Sequence, residues 1–279
     1  MSFDEKAFEN EVLSKIPPRN ESPLPPNWLH IEMLERFRVL QLAPIREGMN
    51  ILEIGCGAHA LTTVPLAHLV GETGRVVAVD KSRWRFFEEI TSVTGVKHRI
   101  IPLKLDARKL PSLFKTFDLA LVHGVRSLKN EGTMVRVISE MLRFSERVFM
   151  AKSLPVATNE RQEAHLELYN LREEIFEALF GEKDDLHYPT LEKLTELVEK
   201  AGGKVIESGT FEPALPHYLA YLPREYVEGI KDEDKRAELL KRWDRAYEKW
   251  KRGTEHPPVG WLLIERLSHP SGAGRRAGR

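Results

Sequence analysis

Between residues 50 and 154 the chain repeats one pattern: a short, almost wholly apolar run, a turn, and a stretch with helical spacing. The apolar runs are "NILEIG", "RVVAVD", "RIIPLKLD", "FDLALVHG" and "RVFMAKSL". The helical stretches include "ALTTVPLAHLVG", "SRWRFFEEITSVTG" and "GTMVRVISEMLRFS". Apolar strands without polar alternation belong to a sheet covered on both faces, and strands separated by helices are parallel βαβ units. The pattern therefore predicts an α/β fold around a parallel sheet.

Further helices are predicted on both sides of this block. Phe8, Val12 and Ile16 share a helical face near the N-terminus, and "PPRNESPLPP" breaks it. Asn27 is placed to cap a second helix carrying Leu29, Met33, Leu34, Phe37 and Leu40. Past Pro155, residues 159–180 form an amphipathic helix stopped by Gly181, and Thr190 caps "LEKLTELVEKAGG". "KVIESGTFE" is a sixth strand, a charged helix covers about 231–252, and "VGWLLIERL" is the last strand. The expected organisation is an N-terminal helical lid (1–44), an α/β domain (45–267) with helical insertions at about 156–190 and 212–257, and a disordered tail (268–279).

The first strand runs into "GCGAHA". Glycines there let the backbone turn sharply and let a ligand approach it closely. Taken alone, the match to G-x-G-x-x-A also fits a nicotinamide dinucleotide, and such a match is weak. The surrounding acids favour S-adenosylmethionine. Glu53, two residues before Gly55, suits a cationic cofactor and is awkward beside a pyrophosphate. Asp80, ending the second strand, suits ribose hydroxyls, which either cofactor would offer. Asp106, past the third strand, can accept from an adenine amino group. No second dinucleotide-type half follows the fifth strand.

As an ordered set, "ILEIGCGAHALT", "VVAVDKS", "LDARKLP" and "FDLALVHGV" resemble the four motifs of class I S-adenosylmethionine-dependent methyltransferases. "TLEKLTELVEKAGGKVIESG" resembles the helix and strand before that family's final hairpin. The likeness spans roughly residues 45–210 and 259–267. It implies a Rossmann-like, seven-stranded, mostly parallel sheet whose last strand runs antiparallel. It implies a cofactor site made of Glu53, Gly55, Cys56, Gly57 and His59, Asp80 and Lys81, and Asp106 and Ala107.

The departure is His59, which stands where the family has a third glycine. It either packs at the start of the helix or faces the cofactor. The turn after the fourth strand is "VHGVRS" rather than the [DNS]-P-P-[YFW] of amino-group methyltransferases acting on bases or glutamine, which argues against those subclasses. His123 is the candidate base or substrate contact there. Tyr188, His217 and Tyr218, on loops outside the repeated block, are candidate substrate contacts.

Lysine plus arginine equals aspartate plus glutamate, 42 each, so the chain lacks the basic surplus usual for a nucleic-acid protein. A strip of Lys241, Arg242, Arg245, Lys249, Lys251 and Arg252 keeps an RNA acceptor as the alternative to a small molecule or protein side chain. A non-catalytic, cofactor-binding subunit is the other. The single cysteine, Cys56, excludes an internal disulfide and a cysteine-based zinc cluster and suits the cytoplasm. No metal is expected, and no apolar run is long enough to cross a membrane. The oligomeric state is not legible.

Overall fold

The computed structural model describes residues 4–19, 26–81, 84, 86–112, 114–124, 128, 130–181, 186, 188–213, 216–217, 224–250 and 253–267. Its centre is a seven-stranded sheet. The strands are β1 (Asn50–Ile54), β2 (Arg75–Asp80), β3 (Ile100–Lys104), β4 (Leu119–His123), β5 (Arg147–Ser153) and β6 (Gly203–Phe211). Two short strands follow, β7 (Pro216–His217) and β8 (Thr254–Glu255), and pair with each other outside the sheet. The last strand is β9 (Val259–Arg266). The sheet order is β3-β2-β1-β4-β5-β9-β6. The strands from β3 to β5 pair in parallel, and β9 inserts antiparallel to both β5 and β6. This is the Rossmann-like sheet that the motifs imply.

The helices are α1 (Glu5–Glu11), α2 (Trp28–Leu40), α3 (Thr63–Leu69), α4 (Phe87–Val93), α5 (Glu131–Phe144), α6 (Glu160–Phe180), α7 (Leu191–Lys200), α8 (Arg224–Glu228) and α9 (Glu233–Trp250). They cover both sheet faces, which is why the inner strands β1, β4, β5 and β9 can be largely apolar and buried, whereas the edge strands β3 and β6 are mostly exposed. One core gathers Phe8, Met33, Phe37, Leu66 and Ile90 with Ile51, Val76 and Leu119. The other gathers Ile138, Met141, Leu194 and Val198 with Leu52, Ala120 and Val148. A satellite cluster joins α6, α8 and α9 through Leu168, Ile175, Val227, Leu239 and Ala246.

The N-terminal segment belongs to the first core. Phe8 of α1 stacks on Phe37 of α2 at 4.4 Å between ring centroids, and both are fully buried. Asn27 stands at the start of α2, but its side chain makes no capping hydrogen bond. Asn159 and Thr190 do cap α6 and α7, and Gly181 ends α6 in the left-handed region. Pro65 lies in the first turn of α3, where a missing N–H costs nothing.

The start of α3 differs from the sequence reading. Helix was expected from Ala60, but it begins at Thr63. Ala60 has φ +52°, and no other non-glycine residue described has a positive φ. That conformation cannot continue a helix, so residues 55–62 form a longer loop, and His59 sits in it rather than at the helix start.

Candidate functional site

The strand order reverses between β1 and β4, and ligands of open α/β sheets bind in the crevice beyond the carboxyl ends of such strands. Two turns meet there. Ile54 pairs with Val122, so the glycine turn leaves β1 beside the point where β4 ends in His123 and Gly124. Gly55, Gly57 and Gly124 have φ of +78°, +67° and +59°, which explains glycine at each. A Cβ on Gly57 or Gly124 would meet nothing within 4 Å, so both turns border open space.

Glu53 is 1 % exposed, and among the described residues neither of its carboxylate oxygens has a hydrogen-bond partner. Burial pushes its carboxyl up to about 8; the nearby Thr63 hydroxyl lowers it in part, and the Asp80 carboxylate raises it further. An unpartnered buried carboxyl costs free energy unless something meets it. Asp80 accepts the Gly57 N–H at 3.0 Å, which fixes the turn against the end of β2. Burial, with Glu53 and Asp80 adding to it, pushes the Cys56 thiol far up, so it is no nucleophile. The turn thus presents two acids, and its Gly57 N–H already serves one of them. A pyrophosphate would meet negative charge here, whereas an ammonium, a sulfonium and ribose hydroxyls would find acceptors.

His59 lies between two rings. Phe86 stacks on it at 5.1 Å, and Trp28 from the start of α2 meets it edge-on at 5.0 Å. This is the packing arrangement, and it places the first turn of α2 over the glycine loop. Asp106 makes a bidentate pair with Arg108 and accepts the Arg108 N–H at 2.9 Å; these bonds hold its carboxyl down at about 2. Lys81 is exposed and its charge reaches Asp106, while Ala107 packs against the second core.

His123 has both ring nitrogens buried and without a hydrogen-bond partner among the described residues. Burial, followed by the charges of Arg36 and His256, holds its imidazole well below the ordinary 6.5, so the ring is neutral. Tyr188 is tied to His165 of α6 by a 2.7 Å hydrogen bond. His217 pairs through its backbone with Thr254, and its side chain, like Tyr218, lies outside the described residues.

Sequence reasoning missed a polar cluster that joins α2, α6 and the segment before β9. Arg36 of α2 pairs with Glu35 at 2.9 Å and Glu32 at 3.1 Å. Glu35 is 2 % exposed. His165 stacks on Tyr169 at 4.6 Å and approaches His256 at 5.2 Å, and His256 lies 4.0 Å from Glu35. Spacing alone gave no signal for it, because Glu35 falls on the helix face opposite the Met33–Phe37 stripe and is buried only by its tertiary surroundings. The RNA strip fares differently. Arg242 is held by Glu174 at 2.5 and 2.6 Å and Lys249 by Glu167 at 2.7 Å; Lys251 and Arg252 lie outside the described residues.

Among the described residues, no helix is long and apolar enough to cross a membrane, and no group of three His, Cys, Asp or Glu side chains gathers to hold a metal.

Comparisons with known proteins agree with this geometry. Residues 27–94 match the family model of protein-L-isoaspartate (D-aspartate) O-methyltransferase. Demethylmenaquinone methyltransferase of Staphylococcus saprophyticus is 24 % identical over 186 residues, covering 63 % of this chain and 79 % of that protein. The Bacillus cereus enzyme of the same name is 26 % identical over 186 residues, covering 60 % and 75 %. The fold matches a cyclopropane-fatty-acyl-phospholipid synthase-like protein from Lactobacillus casei with TM-score 0.76 and 14 % identity, over 94 % of this chain and all of that one. A SAM-dependent methyltransferase from Aquifex aeolicus matches with TM-score 0.51 and 14 % identity, over 95 % and 100 %.

Proposed function

We propose that this chain, a class I S-adenosylmethionine-dependent methyltransferase, methylates a small organic molecule in the cytoplasm. The observation that carries the reading is Glu53: a buried, unpartnered carboxyl at the mouth of a glycine turn, beside a neutral histidine. Bound S-adenosylmethionine supplies a methyl group on a positively charged sulfonium, already activated for in-line displacement.

The chain's own residues then divide the remaining work. Glu53 and Asp80 offer acceptors to the cofactor's cationic and ribose groups, with Gly55, Cys56 and Gly57 giving backbone access. Lys81, Asp106 and Ala107 border the adenine end, where Asp106 must share its carboxylate with Arg108. His59 contributes from the wall, held by Trp28 and Phe86. Orientation of acceptor and cofactor can lower the barrier by about 7–11 kcal/mol in good model systems, so positioning is the main work. His123 accepts a proton or hydrogen bond from the acceptor at a ring nitrogen, and Tyr188 helps to shape the acceptor side through His165.

A small molecule is favoured over RNA because Arg242 and Lys249 are already matched by acids of α6. The names of the curated relatives also point to a small-molecule acceptor. The test incubates the full chain with methyl-labelled cofactor and cell extract separated into protein, RNA and small-molecule fractions. Label is expected in the small-molecule fraction. Label confined to RNA would establish the alternative, and tight cofactor binding without transfer to any fraction would make the chain a non-catalytic subunit.

A further inference from the structure

The two halves of the glycine loop are held differently. The first half is tied to β2: the Gly55 N–H donates to the Val79 carbonyl at 2.7 Å, and the Gly57 N–H donates to Asp80 at 3.0 Å. Beyond Gly57, side chains from four segments meet in a row. The Arg19 guanidinium lies 4.5 Å over the Phe86 ring, Phe86 stacks on His59 at 5.1 Å, and Trp28 meets His59 edge-on at 5.0 Å. The row is anchored at both ends of the N-terminal connector. Arg19 pairs with Glu89 of α4 at 2.5 Å, and its N–H donates to the Pro26 carbonyl at 2.8 Å, which brings it back towards the start of α2. The Phe86 N–H donates to the Ala58 carbonyl at 3.3 Å, so the residues before α4 grip the loop backbone as well.

Next to His59, Ala60 has φ +52° and is fully buried. An alanine in the left-handed region is strained, and such strain persists only where the surroundings over-determine the backbone. The motif that this loop resembles has glycine in place of His59, with no ring to hold. Here the position carries a ring that ties the loop to the N-terminal segment.

We propose that His59 and Arg19 are positioning residues for the cofactor: with Trp28 and Phe86 they clamp the glycine loop in its strained shape, so that S-adenosylmethionine and the N-terminal segment engage the loop cooperatively. The inference rests on the methyltransferase reading above. A loop free to relax Ala60 to negative φ leaves the shape that Gly55 and Gly57 offer to the cofactor as one population among several. Apparent affinity then falls by the fraction of competent loop. Whatever holds that loop raises affinity without touching the cofactor, because the ordering cost is met in advance. By reciprocity, bound cofactor strengthens the docking of α2 on the loop. The ring of His59 carries this role, and its polarity does not.

Calorimetry of S-adenosylhomocysteine binding to the full chain tests the clamp. His59→Ala removes two ring contacts and should weaken binding at least tenfold. His59→Phe keeps a ring and should bind within threefold of the wild type, whereas a histidine that touches the cofactor would lose affinity in both variants. Arg19→Gln should weaken binding about three- to tenfold, and Arg19→Lys should restore most of that loss. Ala60→Gly adopts positive φ without strain and should bind like the wild type. Added to His59→Ala, it should return affinity to within threefold of the wild type, a recovery that a general folding defect would not show. Hydrogen exchange gives the reciprocal measurement: S-adenosylhomocysteine should slow exchange in the first turns of α2 in the wild type and not in His59→Ala. Loss of affinity in His59→Phe, full affinity in His59→Ala or Arg19→Gln, no recovery on adding Ala60→Gly, or α2 exchange indifferent to ligand in the wild type would each overturn the positioning role while leaving the cofactor reading intact. Failure of the wild-type protein to bind S-adenosylhomocysteine would overturn both.

Discussion

Replacing Glu53 with glutamine is the most informative perturbation of the cofactor site. The carboxyl is pushed from the ordinary 4.5 to about 8, chiefly by burial. At 1.36 kcal/mol per pH unit, that gap is worth about 5 kcal/mol between the protonated and ionised forms. The sign follows from proton counting. Between pH 4.5 and 8 the folded protein holds a proton on Glu53 that the unfolded chain has lost, so unliganded stability from this group falls as pH rises through that window. Glu53→Gln removes the effect: the variant should match the wild type near pH 4.5 and exceed it by up to about 5 kcal/mol above pH 8. Cofactor binding should run the other way, because a cation requires the ionised carboxylate. At pH 7 the unliganded protein keeps about 0.9 proton on Glu53, and binding should release it. Calorimetry of S-adenosylhomocysteine binding in buffers of different ionisation enthalpy counts that proton directly. Affinity should rise nearly tenfold from pH 6 to 7. Glu53→Gln should release none and should bind more weakly at pH 7.5 despite its greater stability. Equal proton release in the variant, or affinity matching the wild type, would refute a cofactor role for Glu53.

Three further substitutions probe the same turn. Asp80→Asn keeps an acceptor for the Gly57 N–H but removes the charge, and should weaken S-adenosylhomocysteine binding by roughly 10- to 100-fold in calorimetry, as expected for losing a charge-assisted hydrogen bond. His59→Ala empties the place between Trp28 and Phe86 and should lower stability by about 1–3 kcal/mol in urea unfolding; a change below about 0.5 kcal/mol would deny the packing role. Ala60→Val puts a β-branched residue at φ +52° and should cost about 2–3 kcal/mol, read as a lowered urea midpoint with unchanged slope.

The strand and helix pattern was legible because it depends on local periodicity. Short β-branched apolar runs bounded by turn residues, such as "RVVAVD", read as sheet strands, and caps such as Asn159 and Thr190 act within three residues. The motif order also carried the sheet topology, including the reversed β9. Ala60 shows where local reasoning stopped, since an alanine reads as a helix former and its positive φ is imposed by the loop between β1 and α3. Pairings between distant segments were likewise hidden. Nothing local says that Arg242 is neutralised by Glu174 or that Glu35 meets His256.

By itself, the sequence determined the sheet, the cofactor and the acids around the glycine turn, because those residues lie on consecutive strand ends where spacing dictates position. Only the tertiary structure decided that the Glu53 carboxylate has no hydrogen-bond partner among the described residues, that His59 is held between Trp28 and Phe86, and that Glu35 of α2 meets His256 beside His165 of α6. Burial and charge are properties of what surrounds a side chain. Here the surroundings come from helices more than one hundred residues apart, so packing alone brings that chemistry together.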